Sequence, residues 1–282
     1  MTAPPGAGTV PSSRALTVIS ALLEQRTGQQ IAANRAWRLD TALKPLLREL
    51  GHSSVEPLAA TLTSTRDAQL ADRVVDALLN QETSFFRDAA VLDQVGDAAM
   101  ALPASGSRRM RIWSAGCSTG QEVLSLAMLL HERSAGMSCT PAEITATDVS
   151  KGAIARARRG RFTQFEIQRG LSIHRMVRWF EQDGADWVAR RELFRNVAFR
   201  QHNLVTDSPP PGEFDIVLCR NVLLYFSPAV RRQVFERLSC AMRPNGLLVL
   251  GAGETVIGQT DAFTPSATWR GFYRRAGQVE AH

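Results

Sequence analysis

Two short stretches of this chain have residue types that could hold a ligand: Ala115-Gly116-Cys117-Ser118-Thr119-Gly120 and the segment ending at Asp148. The first follows an apolar run, Arg111–Ala115, and opens an amphipathic period that continues through Leu130. Glycines there permit positive φ and close approach of backbone to a ligand, which makes Gly116 a candidate contact. The carboxyl end of a parallel strand is also where α/β sheets bind ligands. The spacing is not GxGxxG and no Lys-Ser/Thr pair follows, so neither a dinucleotide fingerprint nor a P-loop is present. Asp148 closes the next strand-like run, residues 143–147. A carboxylate in that place accepts hydrogen bonds from both hydroxyls of a ribose. The other reading is a carboxylate favoured by a helix N-terminus.

Two further strand ends carry amides: His202-Asn203-Leu204 and Cys219-Arg220-Asn221-Val222. Asn203 and Asn221 suit an adenine edge or the amino-acid part of a cofactor, and Leu204 and Val222 could pack on a ring. The five histidines form no HExxH-type pair, and the spacings of Cys117, Cys139, Cys219 and Cys240 match no zinc pattern, so no metal is expected. Cys117 and Cys219 read as buried free thiols, which suits a reducing cytoplasm.

These residues need a frame. Residues 111–276 alternate short apolar runs with helical periods: strands at Arg111–Ala115, 143–147, Val197–Gln201, Phe214–Cys219 and 247–250, and a last edge strand near 269–274. Ser150 suits a helix N-cap. Ser227 and Pro228 start a helix to about Met242, and residues 243–246 read as a turn. The alternation implies an α/β, Rossmann-like, doubly wound sheet. Residues from about 162 to 195 interrupt it and read as a small antiparallel β insertion. Before the sheet, residues 14–90 read as an all-helical domain, with stripes at Leu16, Ile19, Leu22 and Leu23 and from Trp37 to Leu50, closed by Gly51. Residues 91–110 read as a connecting helical region. Residues 1–13, rich in Pro, Gly, Ser and Thr, and 277–282 read as tails, the first without a signal-peptide pattern.

The chain has 282 residues with 44% hydrophobic and 21% charged content, ordinary for a globular protein, and no apolar run long enough to span a bilayer. A net charge of +6, mostly from arginine, favours an acidic partner or solubility and is too weak to indicate nucleic-acid binding.

The motifs together resemble the chemotaxis receptor methyltransferases, the CheR family, over nearly the whole span from Leu16 to Arg274. Residues 80–88, Asn-Gln-Glu-Thr-Ser-Phe-Phe-Arg-Asp, are similar to its NETxFFRD signature. Residues 113–122 resemble its cofactor loop, and Ala146-Thr147-Asp148 and residues 219–226 complete the set. The sequence departs from the family at Gln81, where Asn is common, at Gln121-Glu122-Val123-Leu124, where Glu-Glu-Pro-Tyr is usual, and at Gly251-Ala252-Gly253-Glu254, often Gly-His-Ser-Glu.

The resemblance implies an S-adenosylmethionine-dependent protein-glutamate O-methyltransferase without a metal. It implies that Thr83 and Arg87 reach the cofactor pocket from the helical domain, with Gln81 as a cofactor contact where the family commonly has Asn, and that Glu122 binds the cofactor's methionine end. It gives Asp148 the ribose, and Asn203, Leu204, Asn221 and Val222 the adenine and neighbouring backbone. Tyr225 would lie near the transferred methyl. A glutamate γ-carboxylate is ionised at neutral pH, with a reference pKa of about 4.3, so no general base is needed. Positioning and water exclusion would then carry catalysis. Arg87 is the candidate to hold the substrate carboxylate, and Tyr225 to orient it or to line the methyl path. An ion pair with Asp88 or Glu82 and plain packing are the respective alternatives. Phe85 and Phe86 read as apolar seals between domains.

The implied partner is the acidic cytoplasmic helices of a methyl-accepting chemoreceptor, met by Arg14, Arg26, Arg35, Arg38, Lys44 and Arg48 of the helical domain. The short turn 182–186 in the insertion suggests an interaction that needs no C-terminal tethering peptide, although some relatives add such a peptide as a strand. No nucleic acid, no membrane insertion and a cytoplasmic location are expected. Open alternatives are a non-catalytic or regulatory receptor-binding relative and a methyltransferase of another sensory pathway. A nucleic-acid methyltransferase is disfavoured because no Asn/Asp-Pro-Pro-aromatic motif follows the fourth strand, and a nicotinamide dehydrogenase because GxGxxG is missing.

Overall fold

The computed structural model describes residues 13–31, 37–65, 67–102, 109–135 and 142–277, and the side chains among them except those of Ser13, Trp37, Arg38 and Asp40. The tail readings for 1–12 and 278–282, and the expectations for Arg35, Cys139 and the Arg38 side chain, lie outside the described residues. The chain divides into two compact units at Asn80/Gln81.

Among the described residues the first unit has four helices: α1 (Ser13–Thr27), α2 (Trp37–Glu49), α3 (Val55–Thr65) and α4 (Ala68–Leu78). Their apolar stripes meet in one cluster that contains Ile19, Leu39, Leu43, Leu47, Leu58, Leu70 and Val74. Gly51 ends α2 at φ +70°, where the Gly51 and His52 amides reach back to the Arg48 and Leu47 carbonyls (3.2 and 2.8 Å). That is the glycine-terminated cap its sequence predicts. Asp67 caps α4 by accepting from the Gln69 and Leu70 amides.

Among its described residues the second unit is built on a seven-stranded sheet. Its strands are β1 (Arg111–Ala115), β2 (Glu143–Asp148), β6 (Val197–Gln201), β7 (Phe214–Cys219), β8 (Met242–Leu250), β9 (Phe263–Pro265) and β10 (Phe272–Arg275), in the order β6-β2-β1-β7-β8-β10-β9. The first five are parallel, β10 runs antiparallel to β8, and β9 antiparallel to β10. Alternate strand residues serve opposite faces. Ile112, Ile144, Ile216 and Val249 pack with α5 (Ala89–Ala101) and α6 (Gln121–Arg133). Trp113, Val217, Leu248 and Leu250 pack with α10 (Pro228–Ala241). Every residue of β7 is buried, as a central strand covered on both faces requires. Chain order reverses between β1 and β7, so the crevice at their carboxyl ends is the topological switch point.

Residues 81–88 and α5 group with the sheet rather than with the helices, before the boundary expected near residue 90. The cause is apolar: Phe85, Phe86, Leu92 and Val95 are buried in the sheet core. The insertion follows α7 (Lys151–Arg159) and contains β3 (Arg161–Thr163), α8 (Gln164–Gln168), α9 (Ile173–Trp179), β4 (Phe180–Asp183) and β5 (Asp186–Ala189), with sheet order β3-β5-β4. Phe85 seals this insertion: its ring meets Phe162 and Phe180 edge-on at 5.0 and 5.5 Å.

Two expectations need correction. Residues 243–246 are not a turn between elements but the bulged start of β8, where pairing jumps from Phe214↔Met242 to Ile216↔Leu247. The extra β8 residues absorb Pro244 and Gly246, which a regular ladder would not tolerate. The last strand, β10, is not the edge; β9 lies outside it and is too short to show an alternation in sequence. Among the described residues no helix is long and apolar enough to cross a membrane.

Candidate active site at the sheet switch point

β1 ends in a tight turn. The Gly116 and Cys117 amides both donate to the Thr147 carbonyl at 2.8 Å, and Gly116 and Gly120 adopt φ of +93° and +95°. This draws the β1 turn against the end of β2. There Asp148 Oδ2 accepts from the Ser118 amide (2.8 Å) and Oδ1 from the Ser150 amide (2.9 Å). Both oxygens are thereby oriented, and a carboxylate oxygen can accept from more than one donor. Gln81 fastens the same corner: its carbonyl accepts from Ser118 Oγ (2.9 Å) and its side-chain amide donates to Ser150 Oγ (3.1 Å). Ser150 in turn caps α7 at the Ala153 amide, as predicted.

Glu122 lies in the first turn of α6, facing the end of β1. Oε1 accepts from Ser114 Oγ at 2.8 Å, and Oε2 accepts from Arg220 Nη1 at 2.9 Å. Arg220 follows β7, and its other nitrogen, Nη2, donates to Asp88 Oδ2 (2.6 Å) and to the Arg87 carbonyl (3.0 Å). The Arg220 side chain is 2% exposed and that of Glu122 14%. Charge-assisted bonds so shielded from water are strong. Arg87 itself is half-buried and reaches the Glu82 carbonyl at 3.4 Å, while Glu82 pairs with Arg169.

The turn after β7 is tied down by Glu254. Its carboxylate accepts from the amides of Asn221 (2.7 Å), Leu223 (2.8 Å), Leu224 (3.3 Å) and Gly251 (2.9 Å). Asn221 is held at φ +59°. Val222 touches the β1 turn, since a Cβ on Gly116 would meet its Cγ2. Tyr225 is half-buried in the single 3-10 turn that follows. Asn203, after β6, bonds its own loop through Oδ1 to the Val205 amide (2.9 Å). Its neighbour His202 donates its amide to the Asp148 carbonyl (2.9 Å), which brings this end alongside. Leu204 is buried in the core cluster beneath, and Thr83 is half-buried.

Arg220, Glu254, Asp88, Ser114 and Ser118 were not among the residues predicted from sequence. The clue for Arg220 was available: a guanidinium directly after a fully buried strand needs carboxylates around it. Burial, then the charges of Asp148 and Glu122, push the Cys117 thiol well above its usual range, and burial with Glu254 and Glu122 does the same for Cys219. Among the described residues no group of His, Cys, Asp or Glu could hold a metal.

A doubly wound sheet with this glycine turn after β1 and an acidic end to β2 is the framework of an enzyme that binds a nucleoside-containing cofactor, and the family match over residues 81–272 makes this chain an S-adenosylmethionine-dependent methyltransferase. The donor set fits that cofactor: two carboxylates, Asp148 and Glu122, oriented by neighbouring donors, and a positive-φ glycine stand together at the switch point. The chain belongs to the CheR methyltransferase family: residues 81–272 match the family described as CheR methyltransferase, SAM binding domain. It is 34% identical over 240 residues to chemotaxis protein methyltransferase 1 of Pseudomonas aeruginosa, covering 83% of this chain and 87% of that one. Against the chemotaxis protein methyltransferase of Vibrio parahaemolyticus the figures are 34% over 248 residues, 86% and 90%. For that of Listeria monocytogenes they are 31% over 197 residues, 70% and 73%.

Proposed function

We propose that this methyltransferase esterifies glutamate γ-carboxylates on the cytoplasmic helices of a chemoreceptor. The observation that carries the reading is the pair of oriented carboxylates, Asp148 and Glu122, at the switch point beside the Arg87 turn, in a chain whose curated relatives are chemotaxis methyltransferases. When bound, S-adenosylmethionine supplies an electrophilic methyl on a sulfonium centre. Asp148 would take the ribose hydroxyls and Glu122 the ammonium of the methionine end. Gly116, Asn203, Leu204, Asn221 and Val222 would line the adenine and backbone contacts, with Gln81 and Thr83 at the entrance. Arg87 would hold the incoming carboxylate by its planar fork, and Tyr225 would orient it. The nucleophile is already an anion at neutral pH, so the residues need to position it and exclude water, not to remove a proton.

The receptor helices would be acidic and would meet the helical unit. Lys44 and Arg48 are exposed one turn apart on α2, and Arg14 is exposed on α1. Arg26 is exposed but pairs with Asp72 at 3.3 Å. The tight turn at Gly184 between β4 and β5 supports an interaction that needs no tethering peptide. The test is transfer of labelled methyl from the cofactor to purified receptor. Alkali-labile label on glutamate, lost with Asp148→Ala, supports the reading. Cofactor binding without any such label on receptors overturns it.

A further inference from the structure

Four described residues other than glycine have left-handed backbone: Phe86 (φ 50°), Asp88 (54°), Ser118 (50°) and Asn221 (59°). All belong to the segments that form the site. Phe86 and Asp88 flank Arg87, so the turn that presents Arg87 is held in a conformation that L side chains rarely adopt. Such a turn persists only if its surroundings over-determine it.

Clamps act on it from two sides. The Phe86 amide donates to Ser125 Oγ at 3.0 Å, and the Arg175 guanidinium lies over the Phe86 ring, 4.1 Å from its centre. From the other side Arg220 binds the Arg87 carbonyl and the Asp88 carboxylate with one nitrogen and Glu122 with another. Asp88 occupies the N-cap position of α5 yet makes no side-chain cap bond; its carboxylate is turned to Arg220 instead. A good cap residue has given up its local bond for a distant one.

We propose that Arg220 is a positioning residue for methyl transfer. It fixes the Phe86–Asp88 turn to Glu122 and so sets how Arg87 meets the substrate carboxylate. This rests on the reading of Arg87 given above. A planar guanidinium spans three acceptors on two chain segments, which the point charge of a lysine cannot do. Arg220 therefore acts through Arg87 and Glu122, not on the reacting atoms.

The test is a double-mutant cycle on the full chain with receptor at saturating cofactor. Arg220→Lys and Arg87→Lys should each lower kcat by about tenfold or more, and the double variant should lose little beyond the worse single one. Asp88→Asn takes the charge out of one of the two links to the turn, beside the bond to the Arg87 carbonyl, and leaves the Arg220–Glu122 pair. It should lower kcat while the calorimetric affinity for S-adenosylmethionine stays near that of the wild type. Losses that multiply in the double variant, or an Asp88→Asn enzyme with unchanged kcat, would overturn the proposal. The two readings fail separately. An alkali-stable product refutes glutamate esterification, whereas multiplicative losses refute the role of Arg220 whatever the acceptor.

Discussion

Gly116 and Val222 touch across the point where the strand order of the sheet reverses: a Cβ on Gly116 would fall on Val222 Cγ2. The contact explains why a glycine stands there twice over, since φ at Gly116 is also +93°. Gly116→Ala should therefore destabilise the protein by about 1–3 kcal/mol, part backbone strain and part displacement of Val222. Cofactor affinity should fall as well, because both turns line the crevice. Adding Val222→Ala clears the side-chain part only, so it should restore some stability and not all. Denaturant unfolding and calorimetry would check this; a Gly116→Ala protein as stable as wild type contradicts it.

Glu254 is the acceptor around which the second turn is wound. Glutamine in its place keeps one oxygen but turns an amide NH2 toward backbone N–H groups, so donor faces donor. The Asn221, Leu223 and Gly251 amides cannot all be satisfied. We expect Glu254→Gln to cost about 1–3 kcal/mol and to weaken cofactor binding, since Asn221 and Val222 ride on that turn. Unfolding curves and cofactor titration measure both effects. Full stability with full affinity would show that the turn holds itself.

How much of this could be read in the sequence depended on the range of each interaction. β7 is legible because a parallel strand buried on both faces needs a continuous apolar run, and β1, β2 and β6 because shorter apolar stretches alternate with helical periods. Ser150, Gly51 and the β1 glycines act within a few residues of themselves, so local pattern sufficed. Arg220 bonds Glu122 and Asp88 at separations of 98 and 132 residues, and no local pattern encodes that. Residues 243–246 have turn composition, yet the sheet takes them in as a bulge because Leu247 to Leu250 must still pair with β7. The motif 80–88 read as helical-domain sequence, but Phe85 and Phe86 find their apolar partners beside the sheet.

The cysteines give a chemical check on the site's burial. Cys117 and Cys219 are buried with raised thiol pKa, and Cys240 is exposed on α10. Alkylation of the native protein at neutral pH should label Cys240 and spare Cys117 and Cys219 until the chain unfolds. Mass spectrometry of the labelled peptides decides it. Rapid native modification of Cys117 would mean that the β1 turn opens readily.

The insertion is pinned to α6 by Glu132, and this pin should respond to acid. Burial raises the Glu132 pKa, but the hydrogen bonds and charge of Arg175, with Trp179 and Arg178, outweigh it and leave the carboxyl below its usual range. Arg175 Nη2 lies 2.7 Å from Oε2. A depressed folded-state pKa contributes stability above the unfolded value, about 4.3, and loses it as pH falls through the folded value. Glu132→Gln should therefore be less stable than wild type at pH 7, by about 1 kcal/mol, with the difference shrinking below about pH 4. Parallel unfolding curves across pH test this; a difference that does not change with pH would place the cost in packing.

Asp148 offers the sharpest separation of structure from ligand binding. Its two oxygens already hold the Ser118 and Ser150 amides, so Asp148→Asn presents an NH2 to one of them and loosens that corner. A purely structural role predicts lower stability and a general loss of affinity. A ribose-binding role predicts more, because the hydroxyls need the same oxygens as acceptors. Loss of a hydrogen bond to a charged acceptor is worth about 1.5–3 kcal/mol. Wild type should therefore bind S-adenosylhomocysteine about 10- to 100-fold more tightly than its 2′-deoxy analogue. In Asp148→Asn that preference should largely vanish, while both ligands bind more weakly. If the variant keeps the full preference for the hydroxyl, Asp148 holds the turns and some other group reads the ribose.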